Sequence, residues 1–315
     1  MSLNFETLTG FTYRGLTPHK FTPVPGVHPS LHPIAARWAA PGELFVMRIK
    51  QDKIKNLTEE NMDDIVWRYL TFSKFISMLA FNALWFPKLK VLQDNFEGTL
   101  PQMAYQTIQN SHGKWEKHFP LEQHEQIDNM TNDNIDDGKE LTLVNCWFYS
   151  PKECNKMWEE YVASTEGVAI KSTVNKLATY IGVEPEFSYL GQVKYVDFAT
   201  YDQSGYLSNQ ATERAFLKSE HLAHEKEIRI TTLSIKTPSC VSMEGKPYAQ
   251  NELEGKKSNN FENDGLYIQI MFSKLVDEVV LAPNASKWFE LTVKRIIEMS
   301  KLTHIPVKRS ALENN

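Results

Sequence analysis

Cysteine is scarce in this sequence. Cys146, Cys154 and Cys240 are the only three in 315 residues. None of them stands in a Cys-x-x-Cys spacing, and three thiols cannot all pair with one another. The pattern therefore argues against both a disulfide scaffold and a cysteine-based zinc site, and it predicts a reducing, cytoplasmic environment.

Long apolar runs and a leader segment are also missing. No stretch approaches the roughly 20 apolar residues that a membrane-spanning helix requires. The opening Met-Ser-Leu-Asn-Phe-Glu has neither the basic region nor the apolar core of a signal peptide. The sequence thus predicts a soluble protein with no membrane partner.

Positive charge is not in excess, since 34 Lys and Arg residues stand against 39 Asp and Glu residues, a formal net charge of −5. A protein that coats nucleic acid through phosphate neutralisation alone would need the opposite balance. A local basic groove stays open as an alternative. A glycine-rich phosphate loop and an internal repeat are absent as well, which removes two common nucleotide-binding and solenoid patterns.

The chain has enough apolar material for a sizeable core, with 42% hydrophobic and 11% aromatic residues. Residues 1–60 differ from the rest, because prolines cluster between Pro18 and Pro41. We interpret 1–60 as a proline-rich N-terminal extension and 61–315 as the main domain. Histidines are interleaved with those prolines, but no helix presents two of them together, so we expect no metal site there.

Apolar runs of strand length recur along the main domain, with helices inserted at irregular intervals. Strands are predicted at Ile65–Leu70, Leu141–Tyr149, Val168–Ile170, Gln192–Phe198, Glu227–Leu233, Leu266–Phe272 and Glu278–Leu281. Helices are predicted after Thr71, Ser150 and Ser286 and over 210–222. Ser150 with Glu153 has the spacing of a capping box. This order favours an α+β fold, a mixed and mainly antiparallel sheet with helices packed around it.

Seven short motifs follow one another in an order typical of a known family. They are Trp67-Arg68-Tyr69, Leu84-Trp85-Phe86, Asp94-Asn95-Phe96-Glu97-Gly98, Cys146-Trp147-Phe148, Met157-Trp158-Glu159-Glu160-Tyr161, Glu166-Gly167-Val168-Ala169-Ile170 and His224-Glu225-Lys226-Glu227-Ile228-Arg229. The series resembles a bacterial domain-of-unknown-function family, number 2971, over about residues 65–310. Asn95 stands where that family typically has proline. The resemblance implies a shared fold and brings no established activity; a role as a toxin or in phage defence is a general expectation for scattered bacterial families.

The acidic pair Glu225 and Glu227 is the most suggestive chemical feature. On a strand, alternation would place both carboxylates and Arg229 on one face, with Ile228 and Ile230 in the core. Such a face can bind a ribose, hold a cation or perform acid–base chemistry. The alternative is a salt-bridge ladder on a solvated strand.

One class of ADP-ribosyltransferase carries Arg, Ser-Thr-Ser and Glu-x-Glu on successive strands, and Arg68, Ser172-Thr173 and Glu225-x-Glu227 occur here in that order. The resemblance implies that Arg68 binds the phosphate of NAD, that Ser172 supports the site and that Glu227 stabilises an oxocarbenium charge. The third hydroxyl is missing, and a helix N-cap is the alternative role for Ser172 and Thr173.

Two further residues complete the predicted nucleotide site. Tyr161 either belongs to a core stripe with Trp158 or stacks on a nicotinamide or a base. Arg229, beside the acidic pair, is a second candidate for cofactor binding. The transferase hypothesis requires Arg68, Tyr161 and Glu227 to converge on one cleft.

Two rival hypotheses remain open. A metal-dependent nuclease would hold magnesium with Asp94 and Glu97 beside Glu225 or Glu227, so Asp94 and one of these glutamates must share a coordination sphere. A non-catalytic sensor or interaction module would use the acidic strand to contact a partner. A small nucleotide, a nucleic acid or a protein is the expected partner class, and the sequence does not predict an oligomeric state.

Overall fold

The computed structural model describes residues 48–106, 137–201, 211–234, 240–241 and 264–312. Its strands are β1 (Ile54–Lys55), β2 (Ile65–Thr71), β3 (Ala83–Pro87), β4 (Thr142–Tyr149), β5 (Gly167–Thr173), β6 (Tyr189–Gln192), β7 (Lys194–Val196), β8 (Leu217–Ser219), β9 (Glu227–Leu233), β10 (Cys240–Val241), β11 (Gly265–Gln269), β12 (Glu278–Leu281) and β13 (Val307–Arg309). Its helices are α1 (Phe72–Phe81), α2 (Asn155–Tyr161), α3 (Val174–Tyr180), α4 (Ala211–Arg214), α5 (Phe272–Leu275) and α6 (Lys287–Met299).

The main sheet contains eight of these strands in the order β1-β6-β9-β4-β2-β5-β12-β13. The outermost pairs, β1 with β6 and β12 with β13, are parallel. The interior pairs are antiparallel. This arrangement confirms the predicted α+β class with a mixed, mainly antiparallel sheet. Strands β10, β11 and β3 form a second, antiparallel sheet, and β7 pairs with β8.

The two faces of the main sheet are covered differently. One face carries the larger core, which includes Ile228 and Ile230 of β9 and apolar residues of α1, α3 and α6. The opposite face carries a smaller cluster in which Trp67 and Tyr69 of β2 pack with Trp158 of α2. Within the described ranges, none of the helices is long and apolar enough to cross a membrane.

Local capping signals place several helices as the sequence predicts. The Thr71 hydroxyl accepts from the backbone N–H of Lys74 at the start of α1. Ser286 caps α6 in the same way, through the N–H of Phe289. A side-chain oxygen at this position satisfies one of the free donors of the first helical turn.

The helix predicted after Ser150 begins later than its capping box indicates. Helix α2 starts at Asn155, with Cys154 as the preceding residue. The Glu153 carboxylate instead accepts from the Trp158 indole at 3.0 Å and from the Ser310 hydroxyl at 2.7 Å. A contact with a residue 157 positions away therefore overrides the local signal.

Two other segments differ from their predicted structure. The predicted helix over 210–222 is replaced by the four residues of α4, the strand β8 and a 3-10 helix, Glu220–Glu225. Residues 48–60, assigned above to the extension, contribute β1 and the buried side chain of Ile49 to the fold. Residues 1–47 lie outside the described residues.

The ladder between β2 and β4 is short. Strand β2 pairs with β5 along its full length, from Ile65 to Thr71. Its pairing with β4 is limited to Val66 opposite Tyr149 and Trp67 opposite Phe148. We call the region beyond these pairs, where Arg68 follows Trp67, the β2–β4 opening.

Candidate functional site

Five charged side chains lie together on the face of β9 that is opposite the larger core. They are Glu97, Lys218, Glu225, Glu227 and Arg229, and none has more than 9% of its surface exposed. We call this group the buried charge cluster. Charged groups are seldom removed from water to this extent unless they are paired, so the contacts among the five determine what the site can do.

Arg229 is the centre of the cluster and is fully buried. Its Nε donates to Oε2 of Glu227 at 2.6 Å, and its Nη1 lies 2.7 Å from Oε2 of Glu97. Nη1 also donates to the carbonyl of Ala215 at 2.7 Å. Burial alone would lower the pKa of Arg229, but the carboxylates of Glu227 and Glu97 outweigh it and raise the pKa above its ordinary value. Arg229 is therefore a permanent cation.

Lys218 of β8 is the second cation of the cluster. Its Nζ bonds to Oε2 of Glu225 and lies 3.3 Å from Glu97 and 3.4 Å from Glu227. Burial lowers the pKa of Lys218, and the effect of the surrounding carboxylates is larger, so the pKa is raised. Three carboxylates against two cations leave one net negative charge when all five groups are ionised.

Glu225 does not lie on the strand with Glu227, contrary to the prediction from alternation. It is the last residue of the 3-10 helix Glu220–Glu225. Lys226 then adopts a left-handed conformation, with φ 41°, and β9 begins at Glu227. This sharp change of direction lets both carboxylates reach the same lysine from two different elements. The alternative prediction, a salt-bridge ladder on a solvated strand, is also wrong, because Glu225 and Glu227 are both buried.

The two acids of the pair have opposite pKa shifts. Burial, and then the neighbouring Glu227, raise the pKa of Glu225 despite its bond to Lys218. Burial would also raise the pKa of Glu227, but Arg229 and Lys218 outweigh it and lower the pKa. Glu227 thus stays ionised beneath the site, and Glu225 is the carboxyl group that exchanges a proton more readily.

Two other ionisable side chains border the cluster. Burial, followed by Glu227, raises the pKa of the Cys146 thiol to about 12, so Cys146 stays protonated and is not a nucleophile. Tyr161 at the end of α2 keeps 42% of its surface exposed. Its partial burial, and then the carboxylates of Glu227 and Glu225, raise the pKa of its phenol.

Arg68 lies at the β2–β4 opening. Its Nη1 donates to the carbonyl of Cys146 at 2.6 Å and to Oδ1 of Asn145 at 3.1 Å. Its Nε is buried and has no hydrogen-bond partner among the described residues. Burial lowers the pKa of Arg68, and Tyr161 and Glu227 are among the nearby groups that act in the opposite direction. Arg68 alternates with Trp67 and Tyr69 on β2, so its side chain lies on the face of the larger core, near the ring of Trp147. Glu227 lies on the opposite face of the sheet, so the two side chains do not share a face.

Ser172 lies apart from these residues. Ser172 is fully buried on β5, opposite Val66 of the larger core, and its hydroxyl donates to the carbonyl of Leu275 at 2.6 Å. Thr173 caps α3 through the N–H of Lys176. Both hydroxyls therefore make contacts that support the fold, and the contribution of Ser172 to a cofactor site stays a prediction.

Replacement of Ser172 by alanine should lower the free energy of unfolding by about 1–3 kcal/mol, because the Leu275 carbonyl loses its donor in a dry environment. Denaturant unfolding measures this change. The matched control is Ser164→Ala, whose residue is exposed. Any enzymatic activity should be unchanged per folded molecule, and a large loss of activity at full stability would support the predicted role of Ser172 at the site.

The magnesium site of the nuclease hypothesis is not assembled. The Glu97 carboxylate is occupied by Arg229 and Lys218. Oδ1 of Asp94 accepts from the N–H of Phe96 at 2.9 Å, which is a turn contact. In the described ranges, the one group of three or more side chains with metal-ligand geometry is Glu160, His224 and Glu225, and it includes neither Asp94 nor Glu97.

The sequence hypotheses missed Lys218 and the pair of Glu160 and His224. Lys218 lies within the predicted helix over 210–222, so the sequence did not predict its contact with Glu225. The sequence held no direct signal for Lys218, because the burial that makes a second cation necessary is visible only in the fold. Glu160 and His224 stand in two of the quoted motifs, and only the fold shows that they meet.

Comparisons with known proteins identify no relative of this chain. No family model, no curated protein and no solved structure matches this chain. The resemblance to family 2971 thus continues to depend on the seven motifs alone. Function is therefore inferred from the geometry of the side chains.

Proposed function

We propose that the protein is an NAD-dependent ADP-ribosyltransferase-like enzyme whose site lies between the β2–β4 opening and the buried charge cluster. The observation that carries the proposal is the pair of carboxyl groups of Glu225 and Glu227, which share the cation Lys218, together with the unpartnered Nε of Arg68 at the β2–β4 opening. Transfer from NAD requires an anion near a cationic ribose, a group that accepts a proton and a cation for the pyrophosphate.

The proposed reaction breaks the bond between ribose C1′ and the nicotinamide nitrogen, and the bonding electrons leave with nicotinamide. The acceptor, an alcohol, amine or water, donates a lone pair to C1′ and loses a proton. Glu225 takes that proton, because its carboxyl group is the more exposed of the pair and exchanges protons more readily. The net negative charge of the cluster stabilises the oxocarbenium-like transition state.

Arg68 and Tyr161 complete the proposed site. The guanidinium of Arg68 is held by Cys146 and Asn145 through Nη1, which leaves Nε to meet a phosphate oxygen. Tyr161, which keeps 42% of its surface exposed, offers a surface for the nicotinamide. This assignment replaces Arg229, which the sequence offered for cofactor binding, because Arg229 is fully buried and engaged by the two carboxylates of the cluster.

The experiment is incubation of the full chain with NAD, following release of nicotinamide and attachment of labelled ADP-ribose to the protein or an added acceptor. We expect Arg68→Gln to raise KM for NAD about 10- to 100-fold, the value of a charged hydrogen bond. Arg48→Gln is the control, since Arg48 is exposed. Equal KM values for both variants would contradict the role of Arg68, and absence of any NAD turnover would overturn the proposed function.

A further inference from the structure

Glu160, His224 and Glu225 meet at the surface side of the buried charge cluster. Each offers one ligand atom, and these atoms all lie within 4.8 Å of one another. Glu160 belongs to the last turn of α2, and His224 and Glu225 end the 3-10 helix. We propose that these three side chains form a binding site for one divalent transition-metal ion of the zinc or manganese type.

The spacing of the three ligand atoms suits such an ion. Bonds from zinc to imidazole nitrogen and carboxylate oxygen are about 2.0–2.2 Å, so two ligand atoms of a tetrahedral site are separated by about 3.3–3.6 Å. Nε2 of His224 already lies 3.1 Å from Oε1 of Glu160. Small rotations of the side chains therefore suffice to close the site. One imidazole with two carboxylates favours zinc, manganese or iron over magnesium and calcium.

The surroundings hold the ligands in place. Lys218, itself buried, bonds to Oε2 of Glu225 and fixes this carboxylate, whose residue is only 9% exposed. Lys156 approaches Glu160 at 3.7 Å from the preceding turn of α2. Partners of this kind orient ligating carboxylates in metal proteins. The site is thus more than a collection of surface acids, because its innermost ligand is positioned by a buried cation.

The opposite side of the site is open to solvent. The side chains of His224 and Glu160 keep 28% and 36% of their surface exposed. Three protein ligands with an open position are the arrangement in which zinc keeps a water molecule and acts as a Lewis acid. A dication also compensates the net negative charge of the cluster and of Glu160. The inference goes beyond the proposed function and does not rest on it, since binding of the metal needs no NAD. A metal bound to Glu225 would exclude its role as proton acceptor, so the two roles belong to different states of the chain.

The test is calorimetric titration of the chelator-treated full chain with ZnCl2, MnCl2 and, for comparison, MgCl2. We expect one zinc or manganese ion per chain and much weaker binding of magnesium. His224→Gln and Glu160→Gln should each weaken zinc binding by at least about tenfold. The matched controls are His221→Gln on the same 3-10 helix and Glu159→Gln on α2, both at exposed positions, and we expect neither to change the affinity.

Histidines elsewhere in the chain can also bind zinc. Comparison of the His224→Gln and His221→Gln variants distinguishes binding at the proposed site from binding at those histidines. Equal zinc affinity of wild type and His224→Gln would overturn the proposal, as would loss of binding in the His221 variant alone. The absence of zinc and manganese binding in the wild type would overturn it as well. A rise in the thermal midpoint with zinc that disappears in the folded Glu160→Gln variant gives independent support.

Discussion

Arg229→Met should lower the free energy of unfolding by about 3–5 kcal/mol, the usual result of breaking a buried ion pair by removing one partner. For a domain of this size, that corresponds to a fall in the thermal midpoint of about 6–20 °C. The reason is that Glu227 and Glu97 both lose the guanidinium that balances them, at positions where both are almost fully buried. Thermal and denaturant unfolding measure the change.

The control for this prediction is Arg295→Met, which removes an arginine whose side chain is 71% exposed and pairs with Glu298 on α6. We expect a change within about 0.5 kcal/mol. The double variant Arg229→Met/Glu227→Gln should recover part of the lost stability, since it removes one of the unbalanced carboxylates. Equal effects of the Arg229 and Arg295 replacements would mean that the cluster is solvated and not a buried network.

Glu225→Gln should lower kcat for NAD turnover by about 10²–10⁴-fold, the range for loss of a general acid–base group. Glutamine keeps the size of the side chain and its contact with Lys218, so the fold should be preserved. The effect should fall on kcat more than on KM, because proton transfer occurs in the chemical step. Steady-state release of nicotinamide measures both constants.

Glu220→Gln is the matched control, because Glu220 begins the same 3-10 helix and is exposed. Its kinetics should equal those of the wild type. Glu227→Gln should reduce both activity and stability, since it also removes the partner of Arg229. Unchanged kcat in folded Glu225→Gln would exclude Glu225 as the proton acceptor, whatever the other variants do.

The fold was predictable where the pattern of side chains and the tertiary contacts agree. Strand β9 lies at Glu227–Leu233 as predicted, because Ile228 and Ile230 alternate with polar residues and enter the larger core. The helix caps at Thr71 and Ser286 were also predictable, because each cap contact is made within one helical turn. Such local signals need no knowledge of the rest of the chain.

The site was only partly predictable because its contacts are long-range. Glu225 and Arg229 were named from one motif, but the cations and acids that set their charge come from Lys218 and Glu97, on other elements. The turn at Lys226 takes Glu225 off the strand and breaks the alternation that placed it there. Period-two reasoning cannot anticipate a non-glycine residue in a left-handed conformation.

Binding of NAD to the folded Glu225→Gln variant tests the central claim most directly, because this variant should hold NAD without consuming it. In a calorimetric titration of the full chain, we predict saturable binding with one NAD per chain. Binding should weaken about 10- to 100-fold when Arg68→Gln is added. If neither variant binds NAD at millimolar concentration, or both bind it equally, Arg68, Tyr161 and Glu225 do not form an NAD site.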